Sequence, residues 1–154
     1  MLYCPKDEGL THINSYSKSS LLCGKVLSNF APIELNTPYG VFHNIESLWI
    51  YLRCGDNRLH DTYNPLDARK IGNIADRNYL CGKIEFESII RDAIYYKLNC
   101  YSEFLLSDKY FTDLNLEIIH NWVRNGEYVT AGNSSKLLVN SIITWRVDKL
   151  LWKL

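Results

Sequence analysis

In the first 40 residues, apolar positions come in short runs broken by Ser, Asn, Pro and Gly, the pattern of turns and brief strands. Tyr39-Gly40-Val41-Phe42 reads as a turn leading into one such extended segment. Beyond it the period lengthens. Ile45, Leu48, Trp49 and Leu52 stand at i, i+3, i+4 and i+7, behind the good N-cap Asn44 and ahead of the stop signal Cys54-Gly55. Asn64-Pro65-Leu66-Asp67 predicts a second, short helix with proline at its first position, closed by Gly72. A third helix is expected over residues 85–106, with Phe86, Ile90, Ala93, Leu98, Tyr101 and Leu105 on a broad apolar face. A fourth is expected over residues 115–123, stopped by Asn125-Gly126. The last runs from Ser134 to the C-terminus, capped by Asn133 or Ser134, with Leu138, Ile142 and Trp145 on one face. Together these elements predict an α+β fold: a mainly helical single domain over residues 1–154 with a few short N-terminal strands.

At 154 residues the chain is long enough to bury a core of its own. A hydrophobic share of 47% and a charged share of 22% are ordinary for a globular domain. Seventeen basic residues balance seventeen acidic ones, so no net positive field draws the molecule to nucleic acid or to anionic lipid. Composition therefore does not favour a nucleic-acid partner, and no membrane partner is expected. No apolar run approaches the roughly 18 residues of a membrane span. The first eight residues also lack the charged-then-apolar order of a signal peptide. Cys4, Cys23, Cys54, Cys81 and Cys100 are odd in number and never arranged as Cys-x-x-Cys, which predicts free thiols in a reducing, cytoplasmic setting. His12, His43, His60 and His120 pair with no cysteine or acid at metal-ligand spacing, so neither a metal nor a cofactor is expected.

One acid stands out. Glu46 sits at the mouth of an apolar helix, beside Ile45, Leu48, Trp49, Ile50 and Leu52. Two roles are open to it: an acid favoured by the helix dipole, worth about 0.3–1 kcal/mol, or a carboxylate kept for chemistry. Asn29 and Phe30, adjacent in Leu27-Ser28-Asn29-Phe30-Ala31-Pro32, suit recognition of a heterocycle, one reading hydrogen-bonding edges and the other stacking. Trp49 and Arg53 lie three and seven residues beyond Glu46 and can share one side of its helix. The alternative is a core Trp49 and a solvated Arg53.

The order Leu27-Ser28-Asn29-Phe30, Tyr39-Gly40, then Ile45-Glu46 opening a helix resembles the start of the NADAR (YbiA-like) superfamily. Asp67-Ala68-Arg69-Lys70-Ile71-Gly72 is similar to that family's Ala-Lys-x-x-Gly helix, and residues 91–98 to its long helix with Ala-x-x-x-Lys-Phe. Gly132-Asn133-Ser134-Ser135-Lys136-Leu137-Leu138, followed by Trp145-Arg146, resembles its closing motif. The N-terminal Gly9-Leu10-Thr11-His12-Ile13-Asn14, with the Ser-Asn-Phe segment, also looks like a protein family of T-even-type phages, taken as a divergent branch. The resemblance implies a YbiA-like fold and cleavage of N-glycosidic bonds in ADP-ribosylated guanine or a ribosylated base, with a small nucleotide-sugar or modified base as ligand and nucleic acid only as a modified substrate. Glu46 would be the catalytic carboxylate, Asn29, Phe30 and Trp49 would hold base or ribose, and Arg53, Lys97 and Arg146 would contact phosphate. Asn133 is expected as an N-cap whose helix start also suits a phosphate.

The departures are specific. Ser47 stands where the family has His, Ile50 where it has Gln, Arg53 where it has Lys, and Tyr79 is the nearest candidate for its Trp. Its Asp-x-x-Trp-Gly is missing; His120-Asn121-Trp122 and Gly126-Glu127-Tyr128 occupy that region. His120 or Glu127 would then be the second catalytic group, unless His120 is a core-edge histidine bonded to a backbone carbonyl. Lys97 is likewise either a snorkelling side chain or a phosphate ligand. A second expectation follows: a catalytically impaired phage accessory protein, in the host cytoplasm, that binds an ADP-ribose-like ligand or a host protein. A third is an interaction module using the eleven tyrosines and four tryptophans as anchors.

Overall fold

The computed structural model describes residues 3–130, 132 and 135–152. It is about 50% helical and 14% strand, a mixed α+β chain with small sheets. The elements run β1 (His12–Asn14), α1 (Leu22–Leu27), β2 (Leu35–Thr37), β3 (Gly40–Phe42), α2 (Ile45–Cys54), α3 (Pro65–Ile74), α4 (Lys83–Cys100), α5 (Ser102–Leu105), β4 (Glu117–Ile119), β5 (Asn121–Arg124), β6 (Glu127–Thr130) and α6 (Ser135–Leu151). Two compact units form, one of Met1–Ser28 with Lys97–Leu154 and one of Asn29–Tyr96.

In the unit Asn29–Tyr96, β2 and β3 pair antiparallel, Leu35 opposite Phe42 and Thr37 opposite Gly40. The Thr37 hydroxyl closes the turn, donating to the Gly40 carbonyl at 2.9 Å and accepting from the Tyr39 amide at 3.1 Å. α2 begins at the expected cap: the Asn44 side chain accepts from the Ser47 amide at 2.8 Å. Ile45, Leu48 and Leu52 are buried along its inner face, as their spacing requires. Asn64 caps α3 by accepting from the Leu66 amide at 2.9 Å. This helix runs through Gly72 to Ile74, not ending at the glycine as its sequence predicts. A Cβ on Gly72 would come within 2.8 Å of Ile50 Cγ2, so the glycine allows α2 and α3 to approach and does not terminate α3.

In the other unit, β1 pairs parallel with β4, Ile13 opposite Ile118, and all three β1 residues are buried. Leu138, Ile142 and Trp145 of α6 are buried, as expected. The expected cap Asn133 or Ser134 lies outside the described residues.

Two expectations are corrected. Residues 115–123 form no helix: they supply β4 and the start of β5, which pairs with β6 in a hairpin. The reason is the dipeptide read as a helix stop. Asn125 and Gly126 both adopt left-handed angles, φ 53° and φ 75°, the two-residue turn whose twist matches antiparallel strands. β-Branched and aromatic residues on either side of the turn fit a pleated surface. The long third helix is also two pieces: α4 ends at Cys100, Tyr101 sits at ψ 9°, and α5 follows. Asn99 to Ser102 are poor helix formers, so little opposes the bend.

Candidate functional site

The first turn of α2 collects the candidate site. Helix starts leave amides without partners, and two here are met from outside the helix ladder. Asn44 takes the Ser47 amide, and the backbone carbonyl of Asn29 takes the Glu46 amide at 3.2 Å. The second bond fastens the Ser28-Asn29-Phe30 loop to the residue that carries the carboxylate. The Asn29 side chain, by contrast, is not satisfied: its Oδ1 is buried with no hydrogen-bond partner among the described residues. An acceptor left this way costs about 1–3 kcal/mol until a donor arrives.

The Glu46 carboxylate is largely shielded, its side chain 17% exposed, and accepts from Arg69 Nε at 3.2 Å. Arg69 projects from α3 and is held twice, because its Cζ also lies 4.6 Å from the centre of the Phe30 ring. A loop aromatic, a helix carboxylate and a guanidinium from the next helix thus form one cluster, with the backbone of Asn29 tied to its carboxylate-bearing residue. Of these, Asn29, Phe30 and Glu46 were expected from the sequence. Arg69 was not. Its only signal is its position in Ala68-Arg69-Lys70-Ile71-Gly72, where charge alone does not distinguish it from Lys70.

Trp49 and Arg53 come together one and two turns along α2, but with a third partner. Arg53 Cζ lies 5.5 Å from the Trp49 ring and 5.5 Å from that of Phe86, and the two rings meet edge-on at 5.1 Å. This stack is separate from the Glu46–Arg69 contact, although both lie in the unit Asn29–Tyr96.

The remaining candidates belong to the other unit. Lys97 is fully buried, and its Nζ donates to the Ser28 carbonyl at 2.6 Å. Burial pushes its ammonium down to about 7. It is therefore not a side chain that reaches to solvent. Arg146 is 4% exposed and holds the loop after α5: Nε donates to the Phe111 carbonyl and Nη1 to that of Leu116, each at 2.7 Å, and Nη2 donates to that of Asp113. Burial lowers its pKa. His120, between β4 and β5, has Nδ1 2.6 Å from the Ser15 carbonyl, the core-edge arrangement weighed from the sequence. Glu127 is exposed at the start of β6, and Asn133 lies outside the described residues. Among the described residues no group of three or more His, Cys, Asp or Glu is placed to hold a metal ion. No helix among them is long and apolar enough to cross a membrane.

The cluster has clear chemical capacity. A shielded carboxylate exerts a stronger field on a nearby cation than one in bulk water. The Phe30 ring nearby is a surface of the kind that stacks on a heterocycle, and the buried Asn29 oxygen is an acceptor of the kind that a base edge or a sugar hydroxyl would satisfy. No family model, curated protein or solved structure matches the chain.

Proposed function

We propose that the chain is a hydrolase of N-glycosidic bonds in ADP-ribosylated guanine or a ribosylated base, in the manner of the NADAR (YbiA-like) superfamily. The observation that carries this reading is the shielded Glu46 carboxylate, which shares Arg69 with the Phe30 ring and sits on a residue tied to the Asn29 backbone. In such a reaction the C–N bond breaks with its electron pair leaving on the base, and an oxocarbenium-like charge develops at the anomeric carbon. Glu46 stabilises that charge and draws the proton from the attacking water, which adds its oxygen to the same carbon. The proton passes on to the leaving nitrogen. Asn29 and Phe30 orient the base or ribose.

Arg69 favours a second reading. One oxygen of the carboxylate is already engaged by a guanidinium, and the sequence lacks the family's Asp-x-x-Trp-Gly. In that reading the chain keeps the ligand site without turnover and acts as a phage accessory protein in the host. Incubation with ADP-ribosylated guanosine, or with DNA carrying it, separates the two. The hydrolase reading predicts unmodified guanosine, or restored DNA, and free ADP-ribose, with Glu46→Gln lowering the rate about 10²–10⁴-fold. If the wild type and Glu46→Gln are equally inert, the hydrolase reading fails.

A further inference from the structure

The same helix start carries a second ring. Tyr63 lies parallel to His43, centroids 3.7 Å apart and planes 14° from parallel, yet it is 72% exposed. His43 covers one face of the ring, so exposure that high leaves the other face open. The backbone that carries the ring is also anchored. Asn44 Nδ2 donates to the Tyr63 carbonyl at 3.2 Å, and the Ser47 hydroxyl donates to the Thr62 carbonyl at 3.4 Å. Asn44 is the cap of α2, which fastens Tyr63 to the turn that bears Glu46.

Arg69 supplies the complementary group. Its Nε is occupied by Glu46 and its plane is seated over Phe30. Among the described residues no acceptor meets Nη1 or Nη2, and the side chain is 44% exposed. The guanidinium is thus fixed in orientation with its end-on pair of donors unused, the edge that grips a phosphate in bidentate fashion. An exposed flat ring and an exposed fork of donors at one helix start match the two ends of a nucleotide.

We propose that Tyr63 and Arg69 form a nucleotide subsite of the Glu46 site, the open face of Tyr63 stacking a base and the Nη1–Nη2 edge of Arg69 holding a phosphate. The inference rests on the reading of Glu46 as a site for ribosylated bases. It adds that the ligand is recognised through phosphate as well as base, so a bare nucleoside is a poor ligand.

The test is calorimetric titration of the full chain with guanosine 5′-monophosphate and with guanosine, independent of any turnover. The monophosphate is expected to bind about tenfold or more tightly than the nucleoside, as a charge-assisted bidentate contact implies. Arg69→Gln and Arg69→Lys both remove that preference, the second because an ammonium has no planar pair of donors for a phosphate edge. Tyr63→Ala weakens the monophosphate about tenfold while Tyr63→Phe, which keeps the ring, does not. Equal affinity for the two ligands, no binding of either, or a preference that survives Arg69→Gln overturns the subsite. Hydrolysis that depends on Glu46 would stand in each of those cases, so the two claims fail separately.

Discussion

Lys97 and Arg69 show how far position outweighs residue type. Both are cations in helices. Lys97 has no exposed surface and gives its ammonium to the Ser28 carbonyl, whereas Arg69 keeps two nitrogens unoccupied at the surface. The pKa of Lys97 falls from 10.5 to about 7 through burial. Between those values the unfolded chain holds one more proton at this position than the folded chain, so folding stability rises with pH there. The limiting slope is about 1.4 kcal/mol per pH unit. The cost of burying Lys97 is absent above 10.5, where the amine is neutral in both states, grows as pH falls, and changes no further below about 7. Urea unfolding of wild type and Lys97→Met at pH 7, 8 and 9 is expected to show their difference in stability changing along this slope in favour of wild type. Parallel curves would mean that Lys97 is charged in the fold. The Glu46–Arg69 pair is expected to contribute little to stability, under about 1 kcal/mol, because Arg69 is partly solvated.

At the scale of elements, the caps were the most legible signals. Asn44, Asn64 and Gly55 stand where the sequence places them, because a cap is a local bond between neighbours and needs no tertiary context. The two asparagines differ in what else they do. Asn64 is exposed and serves its own helix, while Asn44 is buried and also donates to the Tyr63 carbonyl. Asn64→Ala is expected to cost about 1 kcal/mol. Asn44→Ala is expected to cost more, about 2–3 kcal/mol, since the part-buried Tyr63 carbonyl loses its donor as well. Denaturant midpoints check the difference; equal losses would contradict it. The β5–β6 hairpin was legible too, in Asn125-Gly126, but the same dipeptide follows helices and the neighbouring apolar residues did not decide between periods. Gly72 illustrates a limit of another kind. Its role depends on Ile50, 22 positions away on a different helix, and nothing local records that approach. Arg69 was hidden for the same reason: its partners Glu46 and Phe30 come from α2 and a loop.

Over the whole molecule, the α+β class and the core faces of α2 and α6 follow from sequence periodicity, while the division into two compact units does not. The candidate residues are parted by that division. Asn29, Phe30, Glu46, Trp49 and Arg53 fall in one unit, and Lys97, His120, Glu127 and Arg146 in the other. The account therefore rests on the first group with Arg69. All five cysteines are free, with Cys23 buried and its thiol pushed up to about 12, chiefly by burial.

The most direct test of the central claim, that Asn29, Phe30, Glu46 and Arg69 form a ligand site for ribosylated bases, is thermal unfolding with saturating ADP-ribose. At about 100 times the dissociation constant, binding adds about 2.7 kcal/mol, which for a chain of this length raises the midpoint by about 5–10 °C. That rise is expected in the wild type and is lost in Phe30→Ala, which removes the ring beneath Arg69. An unchanged midpoint in the wild type, or an equal rise in Phe30→Ala, would contradict the assignment.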